Sequence, residues 1–208
     1  VTLDGVSADA SGGAGGGVIH VGGAERGADL QSGGAIADTV SVGPGSTLVA
    51  DAVRHGDGGR VIVYADNAAV IDGQLSVRGG SEAGNGGFVE TSADRLAVFQ
   101  APLIDADAGR AGTWLIDPTD LHISATGGLP TSPSLIGGVS YVAASALNSA
   151  LNSDGAHVIL ETSASGTGAG NLFIDSPIAL SAATGPSSLA SKLTLKAHGD
   201  IYIDASIS

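Results

Sequence analysis

The chain has no cysteine and no methionine, and only 3% of its residues are aromatic. Without cysteine there is no disulfide framework and no thiolate metal site. The missing methionine includes an initiator, so the sequence reads as a piece of a longer protein. Basic residues are also few, 8 Lys and Arg against 21 Asp and Glu, for a net charge of −13. Nucleic acid and anionic membrane surfaces both demand a basic footprint, so neither is an expected partner. No apolar run reaches membrane-spanning length, and no signal peptide is recognisable.

What the chain does have is glycine, 34 of 208 residues, and an apolar fraction of 43% made mostly of small aliphatics. That fraction is too high for a disordered composition. It suits a packed fold of small side chains and many tight turns.

Imperfect repetition is the most informative pattern. A small-residue pair precedes a strand-like run in "GGVIHV" at 16, "GGRVIVYAD" at 58, "GGFVETSAD" at 86 and "AGTWLIDPT" at 111. A second motif alternates with it, "STLVADA", "GQLSVRGG" and "APLIDADA", aligned on Leu48, Leu75 and Leu103. One unit therefore takes roughly 25 to 28 residues. Within each run the period is two. Ile19, Val21, Val61, Val63, Val89, Thr91, Trp114 and Ile116 form one set, expected to face a core. His20, Ile62, Glu90 and Leu115 form the other, expected to face outward, with Arg60 or Arg95 as neighbours of Glu90.

No amphipathic helix separates these runs, which argues against a doubly wound α/β fold. A propeller blade needs longer repeats, and a sandwich has no fixed period. The expected fold is all-β, a right-handed single-stranded parallel β-helix forming a rod of roughly 40 Å at ordinary strand spacing. Glycine pairs Gly58–Gly59 and Gly86–Gly87 are expected at its corners, where positive φ suits them. The whole of 1–208 reads as one segment, with a first set of strands over 1–123 and further strands over 154–208. Between them, 124–153 breaks the pattern: Pro130 and Pro133 oppose regular structure, and Ala143, Leu147 and Leu151 are spaced for a short helix ending near Asn152 to Gly155.

"GGRVIVYAD", "GQLSVRGGSEAGNGGFVETSADRLAVF" and "AGRAGTWLIDPTDLHIS" together resemble the filamentous haemagglutinin-like exoproteins of two-partner secretion. The match covers about 58 to 123, and "LNSALNSDGAHVILETSASGTGAGNLFID" fits the segment that follows. The resemblance implies a parallel β-helix secreted through an outer-membrane partner of a Gram-negative bacterium and displayed at its surface. It implies adhesion, including biofilm cohesion through exopolysaccharide or host glycan, with self-association next. A purely structural spacer, capture of a haem carrier and a polysaccharide-degrading enzyme are the alternatives.

The residues themselves point to no catalytic set. Asp105 and Asp107 lie two apart, as an acid/base pair would on a strand, but only Arg110 accompanies them and a solvated corner explains them. Calcium could draw on "RHGDGG" and "DGQLSVRGGSEAGNGG", yet the regular Asp of a calcium repeat is missing. Neither cofactor nor resident metal is expected. His20, His55, His122, His157 and His198 show no ligand spacing. Trp114 reads as core, and Asp117 before Pro118 as a turn closed by its side chain. Tyr64, Tyr141 and Tyr202 are the candidates for stacking on a sugar, with Tyr141 preferred because it lies where the repeat is interrupted.

Overall fold

A computed structural model describes residues 1–28, 35–125, 139–153, 155–164, 168–180 and 189–208. Among these residues the chain is mostly β, with one short α-helix. The strands are β1 (Thr2–Leu3), β2 (Ser7–Asp9), β3 (Val18–Val21), β4 (Thr39–Val42), β5 (Thr47–Val49), β6 (Arg60–Ile71), β7 (Gln74–Ser76) and β8 (Phe88–Val98). They continue with β9 (Thr113–Asp117), β10 (Leu121–Ser124), β11 (Ser140–Ala143), β12 (His157–Glu161), β13 (Leu172–Ile174), β14 (Lys192–Lys196) and β15 (Ile201–Ile203). Helix α1 spans Ala144–Leu151, directly after β11.

Every strand pairing among the described residues is parallel. Twelve strands share one large sheet, and β2, β5 and β7 form a second. The large sheet runs in two lanes. One stacks β3, the first half of β6, the first half of β8, β9, β12 and β14. The other stacks β1, β4, the second halves of β6 and β8, β11, β10, β13 and β15. The long strands β6 and β8 join the lanes, with a register shift between Ala65 and Ala68 that bends the ribbon there.

The sequence repeat is the stacking repeat. Val61, Val89 and Trp114 lie side by side, as do Val63, Thr91 and Ile116. All six are fully buried. Trp114 is wholly enclosed and donates its indole N–H to Thr91 Oγ1 at 3.1 Å. Polar side chains stitch the same interval: Asp57 accepts the backbone N–H of Asn85, and Asn85 accepts that of Arg110. One sequence alignment slips by a residue: Leu103 pairs with Ser76 rather than Leu75, so Ile104 takes the core position.

The glycine pairs sit where backbone meets backbone. A Cβ on Gly58 would lie 2.0 Å from the Val77 carbonyl oxygen, and one on Gly87 2.0 Å from that of Gly59. None of Gly58, Gly59, Gly86 or Gly87 has a positive φ. The expected reason is thus corrected: contact distance, not left-handed backbone, excludes a side chain. The second glycine also closes each turn, with Gly87 N–H donating to Val77 O and Gly112 N–H to Ile104 O.

In the interrupted region, Leu147 and Leu151 are buried with Ala143 in the main core, and the helix ends at Asn152. What the spacing did not reveal is β11, which inserts between β8 and β10 out of chain order. Pro130 and Pro133 lie outside the described residues.

Candidate functional site

The outward set of the first lane is not uniformly exposed. His20 is exposed, but Ile62, Glu90 and Leu115 are 0–1% exposed, which overturns the expectation for all three. The alternation itself holds; a strap covers the face. After β3 the chain crosses the sheet through Gly22–Ala28, with a tight turn at Glu25–Gly27. Gly27 lies so close to Tyr64 that a Cβ there would fall 2.5 Å from the phenolic oxygen.

Arg26 is the centre of the strap. It adopts φ 54°, ψ 34°, the only non-glycine residue with positive φ among those described. Such backbone costs of order 1–3 kcal/mol and persists when its surroundings hold it. Here the Arg26 backbone N–H donates to both carboxylate oxygens of Glu90, at 3.0 and 3.2 Å. Ser92, two residues along the same face, donates its hydroxyl to Glu90 Oε1 at 2.9 Å. The anticipated partners lie elsewhere: Arg60 pairs with Glu25 and covers the Phe88 ring, and Arg95 donates to Asn67.

The Arg26 guanidinium then reaches two more strands. It lies 3.1 Å from Glu161 and 3.8 Å from Asp117. Ser92 pairs with Asp117 in the sheet, and Glu161 lies one residue beyond the Leu160–Ile116 pair, opposite Lys196. Two carboxylates on adjacent strands therefore share one face, with Lys196 on the far side of Glu161.

The charges are unevenly satisfied. Burial works against ionised Glu161, but hydrogen bonds from Arg26 and Lys196 prevail and hold its pKa below the usual value. Glu90 is raised, by burial first, despite its two donors. Asp117 is raised to about 6, by burial and then by the nearby Glu161 charge. Its Oδ1 is buried without a hydrogen-bond partner among the described residues. The turn-closing role expected of Asp117 is therefore corrected; its carboxylate instead lines a cavity, and Pro118 beside it is buried. That cavity, about 310 Å³, is bounded by Arg26, Tyr64, Ala93, Asp94, Asp117 and Ser163. Donors, acceptors and one aromatic edge converge there, in a volume at the lower end of small-ligand clefts.

The other candidates are dispersed. Tyr141, His122, Phe173 and Tyr202 are in register on the second lane. The last three stack face to face, with ring centroids 4.2 and 4.8 Å apart, and Tyr141 is tilted on His122 at 5.8 Å. The inner rings thus occupy each other's faces. Asp105 pairs with Arg78, and Asp107 is exposed outside any strand. His55 faces Glu82, and the histidines form no common column. Among the described residues no group of three or more His, Cys, Asp or Glu is placed to hold a metal, and no helix is long and apolar enough to cross a membrane.

Sequence reasoning missed Arg26 and Glu161. The signal for Glu161 was the second "ETS", at 161–163, matching Glu90 in the first. Arg26 carried none, since the strap joins residues 64 and 135 positions apart. No protein-family model matches the chain, and a search of curated proteins finds no match.

Proposed function

We propose that the protein is a right-handed parallel β-helix segment of a secreted bacterial surface adhesin of the two-partner secretion kind, and that it binds glycan in the cavity beneath the Arg26 strap. The single observation behind the binding assignment is Asp117. Its Oδ2 lies 3.8 Å from Arg26, but its Oδ1 is buried without a hydrogen-bond partner among the described residues, beside the like charge of Glu161; such groups cluster where a ligand supplies the missing contact. A sugar hydroxyl is a donor of the right size for Oδ1, while Arg26, Ser163 and Tyr64 offer further polar and stacking contacts.

The parallel pairing at an interval of about 25–28 residues supports the β-helix, because each repeat returns the chain to the adjacent strand position. The motifs that resemble the exoprotein family, in 58–123, are the ones that stack in this way. A rigid rod would place shallow sites away from the cell, where several weak contacts add through effective concentration. Exopolysaccharide or host glycan is the partner class, and no catalytic step is assigned.

The test is a glycan array probed with the wild-type chain and with Arg26→Gln. Retention of a subset of neutral glycans by the wild type, lost in the variant at unchanged secondary structure, supports the assignment. No retention at millimolar oligosaccharide favours a spacer, and new reducing or unsaturated ends would make the protein an enzyme.

A further inference from the structure

The eight Lys and Arg side chains are placed unequally. Arg26, Arg54, Arg60, Arg78 and Lys196 are in ion pairs with carboxylates, and Arg95 donates to Asn67. The two that remain, Arg110 and Lys192, lie 82 positions apart in sequence. Both line one cavity of about 330 Å³, together with His157, Thr113 and Asn85. Among the described residues neither has a carboxylate partner, and in a chain of net charge −13 two such cations gathered at one cleft suit a ligand that supplies the counter-charge.

The backbone fixes this grouping. His157 N–H donates to Gly112 O at 3.0 Å, and Lys192 N–H to Ala156 O at 2.7 Å, so β9, β12 and β14 present Thr113, His157 and Lys192 in one row. Arg110 is anchored separately: its N–H donates to Asn85 Oδ1 at 3.1 Å. Gly155 packs against it, where a Cβ would lie 3.5 Å from that of Arg110. His157 is bonded through Nε2 to Thr194 at 2.9 Å. Burial, then Lys192, lowers its pKa, so at neutral pH it is an uncharged polar wall beside two cations.

We infer that this cleft binds the carboxylate of an acidic sugar, with the Arg110 fork and the Lys192 ammonium as the two charge contacts. A planar guanidinium matches a carboxylate in two parallel hydrogen bonds. The overall acidity of the protein disfavours dianions and selects a singly charged group on a mostly neutral ligand. Thr113, Asn85 and His157 offer hydroxyl-matching partners beside it. The cleft lies beyond the strap cavity, shares no residue with it, and rests on the adhesin reading only for the glycan as the carboxylate's source.

The test uses the 208-residue chain and calorimetric or NMR titration with sodium glucuronate, glucose and sodium sulfate, in 50 mM and 500 mM NaCl. Glucuronate should bind the wild type at low salt with a dissociation constant in the millimolar range or below. Affinity should fall at least tenfold in Arg110→Gln/Lys192→Gln, two exposed changes that leave the core untouched, and also fall at high salt. Arg110→Lys should retain part of the affinity. Equal binding of sulfate and glucuronate, or equal binding by the double variant, overturns the inference. Retention by an acidic peptide but not glucuronate overturns it as well. Arg26→Gln separates the two sites: it should abolish neutral-glycan retention while leaving glucuronate binding intact. Glucuronate binding without any neutral-glycan retention would sink the strap assignment alone.

Discussion

Glu90 shows what a single side chain contributes and why parity alone misjudged it. Its position opposite Val89 and Thr91 follows from the two-residue period. Its burial follows from a strap that arrives from 64 residues away. Removing the carboxylate orphans the Arg26 N–H in a covered site, so Glu90→Ala should cost about 1–3 kcal/mol. Glu90→Gln keeps one acceptor oxygen and should cost less, both read by chemical denaturation. Asp117 should behave in the opposite sense. Its folded pKa, about 6, exceeds the ordinary 3.8, so the native state holds the proton more tightly than the unfolded chain. Below about pH 3 both states are protonated and the group is neutral to stability. As pH rises from about 4 to about 6, ionisation erodes stability, and the loss is complete above that window. Asp117→Asn should therefore stabilise the protein by about 1–2 kcal/mol at pH 7.5, after discounting for solvent screening, and by nothing at about pH 3. Equal effects at both values would contradict the burial assigned to this carboxylate. A variant that gains stability while losing glycan retention is the signature of a binding group held at a cost.

At the scale of elements, the glycine pairs were legible as junctions, but their physical reason was not. Sequence shows that two small residues precede each strand; only the stacking shows that a neighbouring carbonyl sits about 2 Å from where Cβ would be. Gly87→Ala should thus be severely destabilising, on the order of 4 kcal/mol or unfolded outright. Gly13→Ala, with nothing within 4 Å and no positive φ, should be within about 0.5 kcal/mol of wild type. Thermal unfolding of the two proteins gives the comparison; similar melting temperatures would refute the contact argument. The strap and β11 were illegible for a shared reason. Both depend on contacts made across the repeat, between segments whose local patterns carry no mark of the partner. The core-facing set was legible because its partner is the same motif one repeat away.

At the scale of the whole molecule, one hydrophobic core runs from Val21 to Ile178 and includes the only tryptophan. Unfolding followed by Trp114 fluorescence and by far-UV circular dichroism should therefore coincide; separated transitions would mean that the stacked strands melt in blocks. A net charge of −13 works against binding to nucleic acid or anionic membrane, and glycan is the partner class we propose for the two clefts. The central claim is that the cavity under the Arg26 strap is where glycan binds. Backbone amide NMR of the wild-type chain, titrated with an oligosaccharide retained on the array, tests it most directly. The account predicts that the largest shifts fall on Arg26, Gly27, Tyr64, Ala93, Asp94, Asp117 and Ser163. Shifts confined to Tyr141, His122, Phe173 and Tyr202, or no shifts at saturating sugar, would contradict it.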